Sequence, residues 1–318
     1  MAGGMFETVS DVQAQTRMDI LEKLSGRIRF RLTNAYMFVA VFQKNEEALC
    51  SLIAALLHIP RESIVSLEIR NPIKLGEDIG KKSCVLDLLI LMNGDMKIHL
   101  EMQVENEGNW DDRGLYYLAQ NILDLKAGED YHDLQKTVQI GILDFNFPKD
   151  NTEFYQEVVF MNTKTHRIFS DKAVIRMLCL TQIKNASQED HESGLVRWAR
   201  FFKAETWEEL KHISEGSEVM RKTIVTLAQL SEDEKIREHC RLMDKYEHEI
   251  ASAKGNAMRQ GLEQGLAQGL LNAIKMCRKL GLSESETVIR LADSFSMAEE
   301  AVGEYVKKYW ETCNTENG

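Results

Sequence analysis

The sequence predicts a mixed α/β fold: a mixed sheet flanked by helices, in which an antiparallel hairpin carries the candidate site, with an all-helical C-terminal region. Two observations carry this. The stretch Asp87–Glu105, DLLILMNGDMKIHLEMQVE, holds two strand-like runs around a turn. From Gln188 onward the apolar residues recur at helical rather than strand spacing.

Within the hairpin, Met96, Ile98, Leu100, Met102 and Val104 alternate with Lys97, His99, Glu101, Gln103 and Glu105. A period of two is a strand with one apolar and one polar face. The preceding run, Cys84 to Met92, is apolar on both parities except at Asp87. An unpaired charge in a buried strand is costly unless it is paired or coordinates a metal. Asn93-Gly94-Asp95 is a turn signal, because Asn and Gly tolerate positive φ. A three-residue loop pairs Met92 with Met96 and sets Asp87 directly opposite Glu101. A two-residue loop would put Asp87 across from an apolar residue instead. Opposed residues share a face, so the two carboxylates would repel. One is then protonated, or a hard divalent cation such as Mg²⁺ or Mn²⁺ sits between them. The other reading is a partly exposed acidic face without metal.

The remaining elements follow in order. Val12–Leu24 reads as a helix. Thr33 or Asn34 is a good N-cap for Tyr36–Leu57, which reads as one helix or two broken near Lys44-Asn45 and ends before Pro60. Ile64–Arg70 alternates as a strand. Trp110–Lys126 reads as a helix stopped by Gly128. Its residues Arg113, Tyr117, Gln120 and Asp124 share one face, and Leu115, Leu118, Ile122 and Leu125 the opposite, buried one. Thr137–Phe145, Tyr155–Asn162 and Val174–Ile183 read as strands. His191–Ala204, Thr206–Ile213 and Glu218–Leu230 read as helices, with Trp198, Phe201, Phe202 and Trp207 packing between them. Glu234–Ala253 reads as a long charged helix.

A short repeat follows: Gln260-Gly261-Leu262, Gln264-Gly265-Leu266, Gln268-Gly269-Leu270. On a helix it makes a Gly stripe beside a Leu stripe. Close pairing with a second copy would offset the cost of about 1 kcal/mol per glycine. The alternative is a linker that is helical part of the time. Glu284–Ala292 and Met297–Trp310 read as short helices after the N-cap Ser283, too acidic to read DNA. The expected divisions are 1–30, 31–186, 187–253 and 254–318.

Composition narrows the function classes. Net charge is −11, which argues against a large basic nucleic-acid surface. It does not argue against a nuclease whose metal neutralises the site locally. Cys50, Cys84, Cys179, Cys240, Cys277 and Cys313 form no CxxC pair, so neither a zinc site nor a disulfide framework is expected. No basic, then apolar leader opens Met1–Gln15, and no run of about 18 apolar residues is present. The expected setting is cytoplasmic, with no membrane partner.

Asp87, thirteen residues, then Glu101-Met102-Gln103 resembles the PD-(D/E)XK nuclease superfamily, and more closely its recombination-promoting nuclease (Rpn) and transposase branch. In that branch the last Lys of the motif is commonly Gln, as at Gln103. Leu32–Phe38 resembles the family's N-terminal helix, and Arg113–Tyr117 and Gly128–Tyr131 the helix after the motif. The Gly-repeat tail is also similar. The resemblance spans about Arg31 to Leu291 and implies a restriction-endonuclease-like fold. It also implies a Mg²⁺-dependent DNA endonuclease linked to recombination or mobile elements. Asp87, Glu101 and the Met102 backbone carbonyl would hold the metal, and Asp87, Glu101 and Gln103 would be catalytic. Arg113, Tyr117 and Gln120 would contact substrate. Relatives often carry an acidic residue near the start of the first helix, where this chain has Asn34-Ala35. That departure and the net charge favour an alternative, a catalytically weak or inactive binding or regulatory module on the same fold. His99 shares the face of Glu101; it is expected to be partly exposed, with a general-base role as the other possibility.

Overall fold

A computed structural model describes residues 9–73, 87–123 and 130–310. The chain divides into two compact units, Met1–Glu247 and His248–Gly318.

The first unit opens with α1 (Val9–Lys23), α2 (Ala35–Lys44) and α3 (Glu46–Leu57). The Asn34 side chain accepts from Met37 N and caps α2, as the sequence suggests. Asn45 separates α2 from α3: its N–H closes α2 on the Val41 carbonyl, and its side chain caps α3 at Ala48 N. The expected break near Lys44-Asn45 is therefore real. Both helices are deeply buried, with Tyr36–Phe42 fully covered.

Among the described residues six strands form one sheet: β1 (Leu67–Ile69), β2 (Asp87–Met92), β3 (Met96–Gln103), β4 (Lys136–Leu143), β5 (Tyr155–Met161) and β6 (Ile168–Cys179). Their order is β1-β2-β3-β4-β6-β5. The β1–β2–β3 meander is antiparallel, β3–β4 and β4–β6 are parallel, and β5 returns antiparallel to β6. The parallel β3–β4 step needs a crossover, and α4 (Trp110–Ile122) lies within it.

The sheet is covered on both faces, which gives the layered architecture expected. On one face Leu88, Ile90, Ile98, Leu100, Met102, Val138, Ile140 and Ile142 join the core of α2 and α3. On the other, Trp110 of α4 packs with Leu143, Met177 and Cys179. Gly141 makes this possible. A Cβ there would come within 3.1 Å of Trp110 Cε2 and closer still to two further ring carbons. The helices α5 (Gln188–Glu192), α6 (Leu195–Lys203), α7 (Trp207–Ile213) and α8 (Glu218–Glu232) follow the sheet. Their aromatic residues pack into the same core as α2 and α3: Trp198 and Phe202 stand 5.6 and 6.4 Å from Phe42.

Two expectations need correction. The last strand begins at Ile168, not Val174, and ends at Cys179; Leu180–Asn185 is a 3-10 turn. The buried stripe of α4 is not the expected one, although Leu118 belongs to both. Leu115 is half-exposed, whereas Trp110, Gly114 and Leu118, four apart, face the sheet. The small Gly114 lets the helix approach, a role an apolar count does not register. Asp124, Leu125, Lys126 and Gly128 lie outside the described residues.

The 46-residue α9 (Glu234–Lys279) carries the Gly repeat as continuous helix. In the second unit, α9 residues Leu270 and Ile274 pack with Leu291 of α10 (Glu284–Phe295) and Val302 and Val306 of α11 (Glu299–Trp310). Gly269 lies against Phe295, and Gly261 and Gly265 face open space. Ser283 and Glu286 form a capping box that starts α10.

Candidate active site

The hairpin register is the one a three-residue loop dictates. Met92 pairs with Met96, and Asp87 pairs with Glu101. Asn93 and Gly94 take positive φ, 53° and 79°. The Asn93 side chain anchors the turn by accepting from Val65 N at 2.8 Å and donating to Ser63 O at 2.8 Å.

Asp87 and Glu101 are both buried, at 8% and 3% exposure. Each has its own side-chain partner. Asp87 Oδ2 pairs with His99 Nε2. Its Oδ1 accepts from Asn71 Nδ2 at 3.0 Å, while Asn71 Oδ1 accepts from Leu89 N at 2.7 Å. Glu101 Oε1 accepts from Arg113 Nε at 2.7 Å. Burial pushes the Glu101 carboxyl above its ordinary range, and the Arg113 guanidinium opposes that rise.

His99 is not partly exposed as expected; only 3% of it is accessible. Its Nδ1 meets Gln139 Oε1 at 2.7 Å, and its ring stacks on Tyr117 at 5.0 Å. Tyr117 in turn carries the Arg113 guanidinium 5.4 Å from its ring centroid. Its hydroxyl is also raised in pKa by burial. Arg113 and Tyr117 therefore reach the site, as expected from their helix face. Gln120, on the same face one turn further, is exposed.

Two buried acceptors on this face of β3, Glu101 Oε2 and Gln103 Oε1, have no partner among the described residues. Gln103 donates through Nε2 to the Glu105 carbonyl at 3.2 Å. A buried polar atom without a partner calls for an explanation, and a bound ion or water is a common one. Among the described residues no group of three or more His, Cys, Asp or Glu side chains is arranged to hold a metal ion. The side-chain oxygens on this face are those of Asp87, Glu101 and Gln103, hard donors of the kind Mg²⁺ and Mn²⁺ take.

Asn34 is committed elsewhere. Its Nδ2 donates to Cys240 O at 3.1 Å and Asp244 Oδ1 at 2.7 Å, fastening α2 to α9. Glu68 is exposed, pairs with Arg70 at 3.1 Å, and sits opposite Leu91, toward the hairpin end. It contributes no third carboxylate.

Asn71 and Gln139 were not singled out from the sequence. Asn71 lies outside any strand. Gln139 is one polar residue in a buried run, the same signal that marked Asp87, and would have been found by the same test.

Among the described residues no helix is long and apolar enough to cross a membrane. No curated protein and no solved structure matches the chain at a significant level. A family model does, over residues 32–257. That span runs from the N-cap of α2 through the hairpin and α4 into α9, so the chain belongs to the PD-(D/E)XK nuclease family transposases.

Proposed function

We propose that the chain is a metal-dependent endodeoxyribonuclease that hydrolyses phosphodiester bonds of DNA during recombination or mobile-element movement. Family membership supplies the nuclease class. The observation that carries the reading further is the pair of buried oxygens without a partner among the described residues, Glu101 Oε2 and Gln103 Oε1, on the face where Asp87 opposes Glu101.

Those residues fit a divalent cation. Asp87, Glu101 and the Met102 backbone carbonyl would hold Mg²⁺, with Mn²⁺ as substitute. When bound, the cation would lower the pKa of a water and neutralise phosphate charge. Gln103 would orient the attacking water. It cannot act as the superfamily's Lys does, because an amide neither carries charge nor titrates. Arg113 would supply the missing positive charge. Its Nε is committed to Glu101, its side chain is about one-third exposed at 31%, and a guanidinium presents further donors to a phosphate oxygen. Tyr117 would hold Arg113 by its ring face. The open positions at Gly261 and Gly265 support pairing of α9 with a second copy of the chain.

The ion pairs that already engage Asp87 and Glu101, together with the net charge of −11, favour a second reading, a non-catalytic binding module. Nicking of supercoiled plasmid separates the two. Wild-type protein should nick DNA with Mg²⁺ and stop with EDTA, while Asp87→Asn and Glu101→Gln lose the activity with their circular dichroism unchanged. Wild-type cleavage by either folded variant would sink the assignment. A wild type that binds no Mn²⁺ and cleaves nothing would favour the module.

A further inference from the structure

Three buried polar side chains from adjacent strands lie in one row: Asp87 on β2, His99 on β3 and Gln139 on β4, at 8%, 3% and 0% exposure. His99 stands directly beside Gln139 in the register and diagonally from Asp87. The fold does not require polarity there. Buried ion pairs can often be replaced by apolar residues without loss of stability. Yet the row is elaborately held. Gln139 takes one ring nitrogen of His99, Asp87 the other, and Tyr117 covers the ring face. Asn71 fixes the second Asp87 oxygen from the outer side.

The consequence is a carboxylate with both oxygens clamped. Asp87 opposes Glu101, whose own Oε1 is clamped by Arg113 and whose Oε2 is left without a partner. Groups that hydrogen-bond a metal-ligating residue fix its orientation and tune its affinity.

We propose that His99 is a positioning residue. Held by Gln139 and Tyr117, it donates to Asp87 Oδ2 and keeps the carboxylate in the orientation in which it shares a divalent cation with Glu101. The inference rests on the hairpin being a metal site. His99 touches neither the cation nor the DNA; it acts through Asp87.

Mn²⁺ binding to the full-length protein tests this by calorimetry, with melting temperature read in parallel. His99→Leu should weaken Mn²⁺ binding roughly 10- to 100-fold, the usual cost of losing such a partner. Gln139→Leu should weaken it less but in the same direction. His99→Gln, whose Nε2 extends about as far as the ring Nε2, should restore most of the affinity. If His99→Leu does not fold, the other two variants decide. Unchanged affinity in folded His99→Leu or Gln139→Leu would overturn the proposal. Tighter binding would overturn it too, by showing that His99 competes with the cation for Asp87. Equal losses in His99→Gln and His99→Leu would reduce His99 to a packing role. A wild type that fails to bind Mn²⁺ would fail the metal site itself and the positioning role with it. Binding by wild type that is lost in Asp87→Asn isolates the fate of His99 alone.

Discussion

Gly141→Ala perturbs the contact that seats α4 on the sheet. Gly141 lies between Glu101 and Met177 in the register, and the Trp110 indole rests on its backbone. An added methyl would meet ring carbons at 3.1 Å and less, against an ordinary carbon–carbon separation of about 3.5–4.0 Å. The ring has little freedom to withdraw, because Trp110 is 1% exposed and packs among Leu143, Met177 and Cys179. Overpacking of this kind costs about 1–3 kcal/mol. A value near 2 kcal/mol is roughly a thirtyfold shift in the folding equilibrium, at about 1.4 kcal/mol per decade. The site should feel it as well, since Arg113 follows Trp110 by less than one turn and ties α4 to Glu101. Urea denaturation of Gly141→Ala, Trp110→Leu and the double variant measures the contact. The double variant should lose less than the sum of the singles, because removing the indole makes room for the methyl. A loss under about 0.5 kcal/mol for Gly141→Ala, the usual scatter of harmless substitutions, would refute the argument. Strict additivity would refute it equally.

Other consequences are more local. Asn45→Ala should cost about 1 kcal/mol in urea denaturation, because it removes the α3 cap. The same change removes the 3.1 Å bond to Thr226 Oγ1, so a stability equal to wild type would count against the capping role. Burial, and then the Asp244 carboxylate, push the Cys240 thiol from 9.0 up to about 12. A raised thiol contributes stability that is present below pH 9 and lost as pH rises toward about 12. Cys240 should therefore resist iodoacetamide at pH 8.5 while folded and react once unfolded, as peptide mass mapping would show; rapid labelling of the folded protein would contradict its burial.

The hairpin was legible because two independent signals agreed. Turn chemistry at Asn93-Gly94 and strict alternation from Met96 gave the same register, and a one-residue slip would have turned every side chain over. The break at Asn45 and the caps at Asn34 and Ser283 were legible for a similar reason, being local chemistry of one residue with its own backbone. Partnerships across the fold were not. The expectation that Asp87 needed a partner was sound, but the chain itself supplies two, His99 and Asn71, and neither can be paired with Asp87 from spacing. The start of β6 was missed because Ile168–Ala173 is half-exposed and mixed in character, so its pairing with β5, not its burial, defines it. The buried stripe of α4 was legible only at Leu118, because a glycine lies at its centre.

The central claim is that Asp87 and Glu101, brought face to face by the hairpin, hold a divalent cation. A crystal of the full chain soaked in Mn²⁺ tests it most directly. An anomalous peak bonded to both carboxylates, with Glu101 Oε2 among its ligands, is the predicted result. No peak between them, with the Asp87–His99 and Glu101–Arg113 pairs intact at saturating Mn²⁺, would contradict it.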